Sequence, residues 1–283
     1  MSHPVIVGVD DPQGSSAAVD WAADEARLSG LRLHLVHGLP WYHRPDSGSL
    51  AEQLVHSANR EALRALANQA ADRHPGLEVT SGLVDVSARE ALVHLSAGAA
   101  MVVVGTRGAG GFPGLLVGST SLYVTAQAAC PVVVVPGAHG SRRGVAVGVH
   151  GGEPCGELLA FAFEEAQRRE LPLRVVHAWS HPLIVGSGHA FPPLHEEGQV
   201  VAEQVRLLAG ILTGWREKYP GVAVTEDIVR SGAAKRLVEV SATQQLLVVG
   251  RHGHPNGPVG RLGSVSQAVV HHAHCPVAVL PAP

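Results

Sequence analysis

Two sets of glycines and hydroxyl residues carry the spacing that could do chemistry. The first is Gly105, Gly108, Gly118 and Ser119, followed by Thr120 and Ser121; the second is Gly250, Gly253, Gly263 and Ser264, followed by Val265 and Ser266. Each set follows an apolar run, Val102 to Val104 in one case and Leu247 to Val249 in the other. A strand that ends in glycines and opens onto a Gly-Ser helix start brings free backbone N–H groups, the positive end of a helix dipole and hydroxyls to one place. That combination makes a phosphate cradle. A bare turn would explain one such loop, but a duplicated loop with its spacing intact argues for a ligand. Neither loop has the lysine that a P-loop places before its Ser or Thr, and Gly8-Val9-Asp10 does not supply the G-x-G-x-x-G of a dinucleotide fold. Both of those nucleotide classes are excluded. No lysine, carboxylate pair or nucleophile with a base stands beside the loops, so at most weak hydrolysis is expected.

The loops belong to a longer internal repeat. Gly105 and Gly250 are 145 positions apart, and the same offset carries Cys130-Pro131-Val132 onto Cys275-Pro276-Val277. Upstream the offset is 140, carrying Val5 to Val9 onto Val145 to Val149 and His37 onto His177. The chain is therefore expected to hold two copies of one domain, residues 1–140 and 141–283, divided near the Gly/His/Ser/Arg stretch of residues 137–143.

Those copies need elements that can position the loops. In the first, Val5 to Val9 is a strand, Ser15 and Ser16 can cap a helix carrying Ala17 to Ala26, and Leu33 to Val36 is a second strand. A long helix around residues 52–72, a strand over 77–84, a helix near 88–95, a strand over 101–104, a helix over 119–128 and a strand over 132–135 follow. Apolar strand runs alternating with helices imply a parallel, doubly wound α/β sheet. Ligands of such sheets sit beyond the strand carboxyl ends, where the winding direction reverses. Asp10 at the end of the first strand and the glycine loop after the fourth are the expected neighbours there.

Composition narrows the partners. Forty-six per cent apolar residues and 16% charged ones suit a chain with two cores, and a net charge of −3 without a basic cluster argues against nucleic acid. No apolar stretch approaches the roughly 18 residues of a membrane span, and no leader pattern precedes Val5, so a cytoplasmic protein without membrane partner is expected. Cys130, Cys155 and Cys275 read as reduced thiols, the first and last buried. His271, His272 and His274 read as surface and packing residues, so no metal ligands are assigned. Arg107, Arg251 and Arg261 are either phosphate contacts or solvated arginines, and Trp41-Tyr42-His43 and Trp179-Ser180-His181 either cover a base or form loops.

Together these residues resemble the universal stress protein family in its tandem form, over essentially the whole chain. The resemblance rests on G-x2-G-x9-G-[S/T], the family's ATP-binding signature, met in both copies, and on Val7-Gly8-Val9-Asp10 followed by Ser15-Ser16. It implies five-stranded parallel sheets ordered 3-2-1-4-5 with helices on both faces, an adenine-nucleotide-binding Rossmann-like fold. It also implies dimer-like pairing through the fifth strands. Val132 to Val135 and Val277 to Leu280 would then pair antiparallel within the chain as a pseudo-dimer, with a homodimer as a further option.

By the same resemblance, Gly8, Val9, Asp10, Gly38, Val104 and Gly105 surround adenosine in the first copy, while Gly108, Gly118, Ser119, Thr120 and Ser121 hold phosphates. The matching set is Gly148, Val149, His150, Ala178, Val249, Gly250, Gly253, Gly263, Ser264, Val265 and Ser266. His150 departs from the family's aspartate; an imidazole lacks a carboxylate's two acceptors and is a poor magnesium ligand. The implied cofactor is ATP, with Mg2+ as a further option; Asp10 could either accept from ribose hydroxyls or hold a magnesium water shell. The implied function is a nucleotide-dependent stress-response regulator, the alternatives being a slow ATP hydrolase and an interaction scaffold with structural ATP.

Overall fold

A computed structural model of the chain describes residues 3–10, 16–39, 50–106, 116–137, 143–151, 155–179, 194–251 and 262–281. Two compact units are formed, one by Met1–Gly140 with Gly250–Pro283, the other by Ser141–Val249. The last segment of the second repeat, from Gly250 on, is thus part of the first unit.

In the first unit the order is β1 (Val5–Gly8), α1 (Ser16–Ser29), β2 (Leu33–Gly38), α2 (Leu50–Arg73), β3 (Val79–Val84), α3 (Ala88–Ser96), β4 (Met101–Gly105), α4 (Ser119–Gln127) and β5 (Val132–Val135). The strands line up as β3-β2-β1-β4-β5, all parallel. Val5, Val7, Val102, Val103 and the whole of β5 are buried, as apolar runs covered on both faces require. Helices α1 and α2 touch each other, as do α3 and α4, the two pairs covering opposite faces. The chain winds one way through β1, β2 and β3 and the other way through β4 and β5, so the reversal falls between β1 and β4, where Val7 lies beside Val103.

The second unit repeats the pattern with β6 (Val145–Gly148), α5 (Gly156–Arg168), β7 (Leu173–Trp179), α6 (Leu194–Lys218), β8 (Val224–Arg230), α7 (Ala233–Ser241) and β9 (Leu246–Gly250), its strands ordered β8-β7-β6-β9. Phe163 of α5 stacks on Trp215 of α6 and on Tyr219 just past the end of that helix, with centroids 5.6 and 5.3 Å apart, which fastens α6 over this core. The remaining elements, α8 (Ser264–His272) and β10 (Val277–Leu280), belong to the first unit. There β10 pairs antiparallel with β5, Ala278 opposite Val133. Two apolar Val-rich strands that would each leave an open edge satisfy one another.

The expected elements hold with small shifts. The third strand starts at Val79 rather than at residue 77, because His74, Gly76 and Leu77 turn the chain out of α2, Leu77 N bonding His74 O with Gly76 at φ 88. Cys130 and Cys275 are buried, and Cys155 is half-buried at the start of α5. Among the described residues no helix is long and apolar enough to cross a membrane.

Candidate functional site

The first set of residues converges on the carboxyl edge of its sheet. Gly8 ends β1, Gly38 ends β2 and Gly105 ends β4, with Val9 and Val104 buried beside them and Asp10 exposed at the rim. Val9 N donates to Val36 O at 2.8 Å, continuing the β1–β2 ladder one residue past the strand. The chain then returns to Gly118, whose N–H donates to Thr106 O at 2.7 Å, closing the loop at its base. Gly108 and Gly253, with Arg107, Arg261, residues 41–43 and residues 180–181, lie outside the described residues.

Helix α4 begins without a side-chain cap: Gly118 is its N-cap, extended at φ −72 and ψ 155. Helix α3 shows the contrast. It opens on an N-cap side chain, Ser87, whose Oγ accepts from Glu90 N and donates to Glu90 Oε2 at 2.6 Å. The first-turn amides of α4, at Ser119, Thr120 and Ser121, have no helical acceptor by geometry and no N-cap side chain competing for them. With the dipole behind them they form an anion-favouring surface. Ser119 is exposed and Thr120 half-buried, whereas Ser121 is buried and its Oγ donates to Gly105 O at 2.7 Å. The Ser121 hydroxyl therefore spends its proton on tying α4 to β4; its expected phosphate contact is left to its backbone.

The glycines divide by cause. Among the described residues a Cβ on Gly118 would meet only Thr106 O, at an ordinary 3.6 Å, and the backbone angles do not require glycine there. What a side chain at this position would fill is the space before α4. At Gly38 a Cβ would lie 2.5 Å from Ala88 N and 2.8 Å from Val86 O, so this glycine is needed by the start of α3. Gly8 faces Leu92 Cδ1 at 2.7 Å and Gly148 faces the Leu237 methyls at 3.0 Å, a repeated helix-to-strand contact. These three glycines sit where expected but serve packing.

His37 is a component that motif spacing did not single out. Its ring is buried, and Nδ1 lies 2.6 Å from Val9 O; a carbonyl only accepts, so Nδ1 carries the proton. His177 repeats the contact to Val149 O at 3.2 Å and adds Gln204 Oε1 at 2.8 Å from Nε2. Each histidine holds the segment leading to Asp10 or His150. The available signal was the repeat itself, which aligns the two.

The second set is divided between the compact units. In the second unit Gly148 ends β6, Val149 is buried with its N–H on Val176 O at 2.9 Å, His150 is exposed, Ala178 lies in β7 and Val249 is buried in β9. In the first unit, Gly263 caps α8 without a side-chain bond, and Ser266 Oγ donates to Gly250 O at 2.6 Å, as Ser121 does to Gly105. Ser264 is exposed, and Val265 offers no hydroxyl where the first set has Thr120. Arg251 is neither a phosphate contact nor solvated: it is buried, with Nη1 donating to Ala128 O at 2.7 Å and its own N–H donating to Leu280 O.

Burial pushes the Cys130 thiol up to about 12, against smaller opposing effects of backbone hydrogen bonds and Arg251. Cys155 is also raised by burial. Among the described residues no group of three or more His, Cys, Asp or Glu could hold a metal ion.

The model of the Universal stress protein family matches residues 1–136 and again 142–281. The chain belongs to that family. It is 38% identical over 290 residues to a universal stress protein of Mycobacterium tuberculosis, covering 97% of this chain and 95% of the relative. A universal stress protein of Mycolicibacterium smegmatis is 36% identical over 290 residues, covering 98% and 97%. Among solved structures, the crystal structure of a universal stress protein from Archaeoglobus fulgidus aligns with a TM-score of 0.69 over 99% of this chain and 97% of the other, at 15% identity. The universal stress protein fold is thus shared at sequence identities far below those of the mycobacterial relatives.

Proposed function

We propose that this universal stress protein binds ATP at the carboxyl edge of the first sheet and acts as a nucleotide-dependent regulator of the stress response. The reading is supported by one observation above others. Gly118, which neither its backbone angles nor its described neighbours require, opens an uncapped helix directly beside the end of β4. Ser119, Thr120 and the backbone of Ser121 would hold phosphate oxygens, and Asp10, at the rim, would accept from ribose hydroxyls or hold the water shell of Mg2+. Val9 and Val104 supply apolar surface for the base. When bound, ATP would supply the negative charge that these amides and hydroxyls neutralise. The chain's own part is to keep the cradle preformed, through Ser121 on Gly105 and His37 on Val9. The matching residues of the second repeat are proposed to bind a second nucleotide more weakly, because His150 replaces the carboxylate. Domains of residues 1–140 and 141–283 are proposed as the repeating units.

Calorimetric titration of the purified chain with ATP, with and without magnesium, tests the reading. Saturable binding with a thermal upshift is expected, about 2.7 kcal/mol of stabilisation at a hundredfold excess over the dissociation constant. No heat and no shift at millimolar ATP would remove it. Following bound ATP for hours separates a regulator from a slow hydrolase.

A further inference from the structure

The outer edge of the first unit differs from that of the second. Strand β3 pairs with β2 and, among the described residues, with no strand on its other side. Its sequence, Val-Thr-Ser-Gly-Leu-Val, carries no charge. Beside it runs a groove of about 290 Å³ walled by β3 and by helix α2, whose residues His56, Arg60 and Arg64 project along it at intervals of four. Arg60 and Arg64 are exposed and form no ion pair among the described residues; Arg60 Nη2 donates to His56 Nδ1 at 3.4 Å, and His56 lies 3.9 Å from Asp85 at the end of the stripe.

Among the described residues the second repeat lacks this basic stripe. Strands β3 and β8 correspond at an offset of 145, which places Val201, Val205 and Ala209 where the basic residues stand, and Glu226 and Asp227 in place of Ser81 and Gly82. Those two acids are occupied, Glu226 by Arg216 at 2.8 Å and Asp227 by Arg236 at 2.8 Å. Charged residues on an outer strand are a common device against pairing with another chain. In this protein β8 has the device and β3 lacks it.

From this contrast we infer that the β3 edge and the His56–Arg60–Arg64 stripe form a binding site for an extended acidic segment of a partner protein. Such a segment adds a strand to β3 through its backbone and sets acidic side chains against α2. The dimensions agree: residues four apart on a helix are separated by about 6 Å along its axis, and alternate residues of a strand by about 6.6 to 6.8 Å. Successive alternate acids can therefore meet Arg64 and Arg60 in turn, each fork taking one carboxylate. A compact anion would use one arginine and leave the strand edge unused. The occupant chosen by both features together is an extended chain of alternating acidic and β-branched residues.

The test uses the full chain and fluorescein-labelled nonapeptides in anisotropy titrations at low salt. One peptide alternates Glu with Thr or Val, a second has the same composition with its acids in one block, and a third is the alternating peptide N-methylated on alternate amides. The alternating peptide is expected to bind saturably, about tenfold more tightly than either control, and R60A/R64A is expected to weaken it about tenfold with an unchanged thermal melt. Asp85→Asn, which removes a competing carboxylate, is expected to tighten it. Equal binding of the alternating and block peptides, equal binding of the N-methylated peptide, indifference to R60A/R64A, equal competition by tripolyphosphate or a single-stranded oligonucleotide at matched charge, or no binding at millimolar peptide would each overturn the proposal.

Discussion

Ser121 Oγ donates to the carbonyl of Gly105 at 2.7 Å, joining the first turn of α4 to the end of β4 across the base of the glycine loop. The same bond joins Ser266 to Gly250 at 2.6 Å, so the final serine of each G-x9-G-S-x-S stretch is a fastener. Replacing Ser121 with Ala leaves a part-buried carbonyl short of a donor and is expected to cost about 1 kcal/mol in urea denaturation. Ser119→Ala, at an exposed position, should leave stability within about 0.5 kcal/mol. Equal losses for the two would contradict the assignment of separate tasks.

Gly118 and Gly38 should respond oppositely to enlargement. Gly118→Val meets Thr106 O at ordinary contact distance and loses a tolerated N-cap, about 1 kcal/mol of stability, while ATP affinity measured by calorimetry is expected to drop tenfold or more. Gly38→Ala drives a methyl onto the Ala88 backbone and is expected to destabilise by roughly 1–3 kcal/mol, as overpacking does.

Asp10 and His150 occupy the same place in the two repeats. Losing a charge-assisted contact at Asp10 should weaken ATP binding about tenfold or more in magnesium. In the Asp10→Ala chain, His150→Asp should bring back magnesium dependence. Titrations with and without the metal read both effects, and identical isotherms for all variants would show that this position does not govern binding.

The thiols should react in order of burial. With its thiol raised to about 12, Cys130 holds almost no thiolate at pH 8 and should react with a disulfide reagent only on unfolding, whereas half-buried Cys155 should react in the native state. The raised value also carries a sign. The folded state holds this proton more tightly than the unfolded one, so the contribution is complete below the unfolded thiol's ordinary range and is lost as pH climbs towards 12. Cys130→Ala should flatten the alkaline fall in stability seen by denaturant titration.

The periodic features of this protein were legible in its sequence because their causes are local. An apolar run such as Val132 to Val135 can only be a strand covered on both faces, and the duplicated glycine spacing shows a strand-loop-helix joint wherever it occurs. The repeat also made the antiparallel pairing of β5 with β10 an expectation, since both strands are short, apolar and last in their copies. What tertiary structure decided lies in contacts between residues far apart in the chain. Gly38 is a glycine because Ala88, fifty positions later, abuts it, and Gly8 because Leu92 does. His37 finds its acceptor on Val9, and Arg251 is drawn from its loop to Ala128, 123 positions away. The openness of β3 likewise follows from its place at the end of the strand order. A residue type and its spacing state what a side chain can do; the neighbours brought to it by folding settle whether its proton, its charge or its lack of a Cβ is used for packing or left for a ligand.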